Sequence, residues 1–87
     1  MNYINKYIDY IKFERKLSHN TIESYQNDLT DLYLFFNEDI IKVSDEQMVK
    51  YIHSLSNLNA RSLAHHITVI NSFYEFLISE EIIKANP

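Results

Sequence analysis

The chain contains no glycine, and its single proline is the last residue. Tight hairpin turns need positive φ, which Gly, Asn-Gly or Asp-Gly normally supplies. None of these occurs here. A β-meander or sandwich would therefore lack its corners, whereas helices joined by short loops need no such residues. The same absence excludes a glycine-rich phosphate loop and the usual nucleotide-binding motifs. With 87 residues the chain makes one domain, spanning positions 1–87. A domain of that size buries roughly 60% of its unfolded surface, enough for one modest core. Hydrophobic residues make up 46% of the chain, and its aromatic residues are all Tyr and Phe, so large rings with Ile and Leu must fill that core.

Periodicity and capping residues predict an all-α fold, a compact orthogonal bundle of four main helices. The first is expected from about Tyr3 to Lys16, with Ile4, Tyr7, Ile8 and Ile11 on one face and Tyr3, Tyr10 and Phe13 widening it. Lys12, Arg15 and Lys16 fall at its C-terminal end, where cations interact favourably with the helix dipole. Ser18 is placed to cap a second helix running to about Phe36, whose stripe is Ile22, Tyr25, Leu29, Leu32, Tyr33 and Phe36. A loop is expected from Asn37 to Val43. Ser44-Asp45-Glu46-Gln47 has the capping-box pattern and opens a third helix, with Met48, Val49, Ile52 and Leu55, ending near Ser56. Asn59 can cap the fourth, whose buried face is read as Leu63, Ile67, Ile70, Tyr74 and Leu77, with Phe73 at its edge, as far as about Ser79.

Several function classes find no support. There is no cysteine, which removes disulfides, thiolate chemistry and Cys-ligated zinc. The His65-His66 pair is no metal motif, because neighbouring helical side chains diverge by about 100° and no third ligand lies near in sequence. No Ser/His/Asp set has an interpretable arrangement, so neither catalytic residues nor a cofactor or small-molecule substrate is expected. The N-terminus shows no signal-peptide pattern, and no apolar run approaches the roughly 20 residues that span a bilayer. A cytoplasmic location without membrane contact is the expectation. Net charge is −4, from 8 Lys and Arg against 12 Asp and Glu, which argues against strong free-standing binding to nucleic acid.

The second helix is where the sequence becomes specific. Leu17-Ser18-His19-Asn20-Thr21-Ile22-Glu23-Ser24-Tyr25-Gln26-Asn27-Asp28-Leu29 resembles the L-S-x-N-T-x-x-x-Y-x-x-D-L signature of the core-binding domain of tyrosine recombinases, found in phage integrases and Xer-type recombinases. Leu58-Asn59-Ala60-Arg61-Ser62-Leu63 and Ile67-Thr68-Val69-Ile70-Asn71-Ser72-Phe73-Tyr74-Glu75-Phe76-Leu77 resemble the family's fourth-helix blocks. Asn86-Pro87 is similar to the N-P that opens the linker to its catalytic domain. The resemblance implies a SAM-like helical bundle forming one half of a clamp around recombination-site DNA. The other half would be the protein's own catalytic domain, following Pro87 and carrying the nucleophilic tyrosine. Other recombinase protomers would complete the assembly. This domain would not be an enzyme by itself.

In that family the second and fourth helices face the major groove. Helical spacing puts Asn20, Ser24, Asn27 and Asp31 on one polar face, and Arg61, His65, Thr68 and Ser72 on another, with Ser62 and His66 beside them. Short polar groups of this kind reach phosphates or base edges, and the helix starts at His19-Asn20-Thr21 and Ala60-Arg61-Ser62 offer free N–H groups. The expected DNA contacts are thus Lys16, Ser18, His19, Asn20, Thr21, Ser24, Asn27, Arg61, Ser62, His65, His66 and Ser72. Tyr25 reads as core and Asp28 as structural, pairing with a nearby cation. The sequence departs from the family at Gln26-Asn27, His65, His66 and Asn71, where arginines are common. Weak, salt-sensitive binding is the consequence. The alternative is an acidic helical protein-interaction module with the same fold that has lost DNA binding. Where the charges lie separates the two: basic residues on one face with acids elsewhere favour the clamp, and acids around that face favour the module.

Overall fold

The helix boundaries follow from local capping and turn chemistry, and tertiary contacts decide which faces are buried. The computed structural model describes residues 2–84; the Asn86-Pro87 pair lies outside them. Helix α1 covers Asn2–Phe13, α2 His19–Phe36, α3 Asp45–Ser54 and α4 Ala60–Ser79, with a 3₁₀ helix at Asn37–Lys42. No strand occurs among the described residues.

Helix α1 buries Ile4, Tyr7 and Ile11 completely. It stops at Phe13, before the expected Lys16, because the chain turns through a left-handed Lys16 at φ 51°. The turn is closed by Arg15 N–H donating to Tyr10 O at 3.3 Å and Leu17 N–H to Ile11 O at 3.2 Å. Phe13, expected at the edge of the apolar stripe, is 67% exposed.

Helix α2 starts as its sequence predicts. The Ser18 hydroxyl accepts from Thr21 N–H at 3.2 Å. Leu29 and Leu32 are fully buried. Asn37 ends the helix at φ 56°, ψ −139°, and its N–H donates to Tyr33 O. The expected loop beyond it is instead the 3₁₀ helix. Its tight winding drives Ile40 into the core, where Ile40 O accepts from the Tyr74 hydroxyl at 2.6 Å.

Helix α3 opens on the expected capping box, with Gln47 N–H donating to Ser44 Oγ at 3.2 Å and Ser44 N–H to Gln47 Oε1 at 2.9 Å. It ends at Ser54 and buries Met48 and Tyr51, while Val49, expected on that face, is exposed. Helix α4 begins with Asn59 Oδ1 accepting from Ser62 N–H at 2.8 Å. Its buried residues are His66, Val69, Ile70, Phe73, Tyr74, Phe76 and Leu77. The first half of the stripe is therefore rotated by about one residue, roughly 100°, from the expected one. Ile67 is exposed, His66 takes its place inside, and Phe73 is at the centre.

Helix α4 closes in a Schellman motif: Ile82 N–H donates to Leu77 O at 2.9 Å and Glu81 N–H to Ile78 O at 3.0 Å. The left-handed residue is Glu81, at φ 60°, since no glycine is available. The core is aromatic where α1 meets α4: the Tyr7 ring meets Phe73 edge-on at 5.6 Å and lies 5.3 Å from Phe76. The Cα radius of gyration is 12.5 Å, close to the ~12 Å of a well-packed chain this long.

Candidate nucleic-acid interface

Helices α1 and α4 both pack on α2, and the two contacts sort the sequence-predicted residues into two groups. In the first, Ser24 and Asp28 of α2 and Arg61, Ser62, His65 and His66 of α4 line one open depression of about 420 Å³. In the second, Lys12 of α1 and His19, Gln26 and Asn27 of α2 line another, floored by Ile8 and Ile22. Asn20 and Lys16 are exposed near the start of α2. Ser18 and Thr21 are bound to each other, the Ser18 hydroxyl donating to Thr21 Oγ1 at 2.9 Å, so part of their capacity goes to capping.

Two expected contact residues turn away from the outer surface. Ser72 is half-buried, and its hydroxyl shares a 2.7 Å hydrogen bond with that of Tyr7. It ties α4 to α1, because Tyr7 needs a polar partner at its buried end. His66, expected on the outer face, is 8% exposed. It turns inward because Asp28, also 8% exposed, waits there: His66 Nε2 lies 3.5 Å from Asp28 Oδ1 and 3.7 Å from Asp31 Oδ2.

Asp28 is the centre of the first group. His65 Nδ1 sits 2.9 Å from Asp28 Oδ2, while the His65 side chain is 43% exposed and meets the Tyr25 ring edge-on. Asp28, expected to pair with a nearby cation, instead meets two histidines of another helix, His65 lying 37 residues away in sequence. Buried polar atoms normally find partners, yet His66 Nε2 has no hydrogen bond and neither has the buried Tyr51 hydroxyl. Burial, with Asp31 and Asp28 adding negative charge nearby, pushes the Tyr51 hydroxyl up to about 12.

The charges are not cleanly separated. Arg61, His65, His19 and Lys12 line the two depressions, but Glu23 lies 3.8 Å from His19 and the exposed Asp31 lies beside His66. Sequence reasoning put Asp31 on the polar face and missed its closeness to His66. It missed Tyr51 altogether, whose position one turn before Leu55 carried the only signal. No group of three or more side chains suited to a metal ion exists among the described residues, and no helix there is long and apolar enough to cross a membrane.

Comparison with known proteins agrees with the motif reading. Tyrosine recombinase XerD of Rickettsia prowazekii is 37% identical over 92 residues, covering 100% of this chain and 30% of that protein. Tyrosine recombinase XerD of Rickettsia bellii is 33% identical over 92 residues with the same coverage. Tyrosine recombinase XerC of Listeria monocytogenes is 36% identical over 90 residues, 94% of this chain and 29% of that protein. The chain therefore spans about 30% of the length of the curated relatives it matches. No solved structure matches it. Residues 4–81 match the family described as phage integrase, N-terminal SAM-like domain, and the chain belongs to that family.

Proposed function

We propose that this chain is the non-catalytic DNA-clamp domain of a site-specific tyrosine recombinase. It grips recombination-site DNA while a catalytic domain, following Pro87, performs strand exchange with other protomers. The observation that carries this reading is the depression between α2 and α4. Ser24, Arg61, Ser62 and His65 converge there from the two blocks that resemble the family signature. Arg61 supplies a fixed cation for a phosphate, and the hydroxyls supply short donors and acceptors. With a chain charge of −4, the isolated domain binds weakly, and useful affinity comes from tethering to the second half of the clamp.

The test is an NMR titration of the 87-residue chain with a short duplex at low salt. Shifts confined to residues 16–28 and 59–72 support the reading, and an absent or diffuse response overturns it. Arg61→Ala should weaken binding to all sequences and lower the slope of log K against log salt by about one.

One observation favours the second reading, an acidic protein-interaction module: exposed Asp31 and Glu23 stand among the cations of this face. Under that reading the duplex leaves the spectrum unchanged at any salt concentration.

A further inference from the structure

The α2–α4 junction holds two carboxylates and two imidazoles in one small volume. His65 Nδ1 is 2.9 Å from Asp28 Oδ2. His66 Nε2 is 3.5 Å from the other Asp28 oxygen and 3.7 Å from Asp31 Oδ2. The remaining polar groups around them are Tyr25 and Ser24 of α2, Arg61 and Ser62 of α4, and the Tyr51 hydroxyl of α3, which feels both carboxylates. An acidic cluster alone would say little. Here the carboxylates face two imidazoles of α4: His65 is in hydrogen-bonding contact with Asp28, and His66, a buried residue, holds Nε2 at ion-pair distance from both carboxylates without a hydrogen bond.

We propose that this cluster is a proton-binding site that couples DNA binding by the α2–α4 face to proton uptake, with Asp28 as its positioning residue. The inference rests on the clamp reading above. When both imidazoles are charged, Asp28 and Asp31 are neutralised. When both are neutral, the same spot carries two uncompensated negative charges beside the depression a phosphate must approach. Asp28 also sets which nitrogen of His65 is offered. A carboxylate at Nδ1 holds the proton there, and Nε2 is the nitrogen left for an outside group. Neutral, that nitrogen only accepts; protonated, it becomes a charged donor suited to a phosphate oxygen.

The sign follows from linkage. The DNA-bound state holds more protons, so affinity rises as pH falls and weakens by up to about tenfold per pH unit for each proton taken up. The experiment measures duplex affinity of the 87-residue chain across the titration range of histidine, for the native sequence, Asp28→Asn and His65→Arg. Imidazole nitrogen NMR of the DNA-free chain runs alongside. The native chain should show Nδ1 of His65 protonated throughout and affinity rising toward low pH. His65→Arg should retain binding with a flatter pH response, because its charge is fixed. Asp28→Asn should also flatten the response and release the His65 tautomer. If the native chain and His65→Arg both bind with the same pH response, the inference is overturned and the clamp stands. If neither binds at any pH, both fall together. An Nε2-protonated neutral His65 in the free chain overturns the positioning role of Asp28 whatever the binding shows.

Discussion

Helix α4 is buried on two sides, and the two sides are built differently. Toward α1 and the 3₁₀ helix, Tyr7, Phe73, Tyr74 and Leu77 are fully buried, and both tyrosine hydroxyls have partners in Ser72 and Ile40 O. Toward α2, Asp28 and His66 are almost as deep, yet His66 Nε2 reaches the Asp28 and Asp31 carboxylates only at ion-pair distance, without a hydrogen bond, and the Tyr51 hydroxyl on α3 that senses the same carboxylates makes none either. The first side satisfies pattern, packing and hydrogen bonding at once, as a region selected for folding should. The second leaves two buried polar atoms without hydrogen bonds, which costs stability that the first side does not lose. A small domain keeps such a junction when the groups serve something other than stability.

The comparison can be broken most severely on the well-satisfied side. Phe73→Ala removes a fully buried ring from the centre of the aromatic cluster and should lower stability by about 3–5 kcal/mol in denaturant unfolding. Alkali attacks both sides through their tyrosines. Burial raises Tyr7, Tyr51 and Tyr74 above the ordinary tyrosine value. The unfolded chain therefore loses these protons first, and stability present below about pH 10 drains away as pH rises. For Tyr51 the loss extends to about pH 12 and is on the order of 2–3 kcal/mol. Circular-dichroism melts at a series of alkaline pH values would show Tm falling steeply, and a flat profile would contradict it.

A paired substitution sharpens the contrast. Tyr74→Phe strands Ile40 O in the core and should cost about 1–2 kcal/mol. Tyr51→Phe deletes a hydroxyl that has no partner and should be neutral or slightly stabilising. Equal losses from the two would mean the sides do not differ. The smallest expected effect lies at the end of α4, where Glu81→Gly relieves a left-handed side chain and should add about 0.5–1 kcal/mol.

What the sequence disclosed follows the same division. Ser18, Ser44 and Asn59 were legible as caps because a cap bonds within three residues of itself. The aromatic side was legible in outline, since Ile4, Tyr7, Ile11, Tyr74 and Leu77 recur at helical spacing. The polar junction was not. A histidine beside an isoleucine reads as surface, and only the arrival of Asp28 from α2 makes His66 the inward residue and leaves Ile67 exposed. The 3₁₀ helix escaped for a similar reason: its anchor is the Tyr74 hydroxyl, 34 residues further along. The early end of α1 depends on bonds that close around Lys16, a residue with no intrinsic preference for a left-handed backbone.

That corner sets two demands against each other. Main-chain bonds on both flanks fix the root of the Lys16 side chain, so an ammonium at this corner starts from a settled position and loses less freedom when it meets an anion. Glycine would relax the bend and discard the cation. Under the clamp proposal, thermal robustness and ligand grip thus pull in opposite directions at a single α-carbon, and a chain without glycine has given the position to charge.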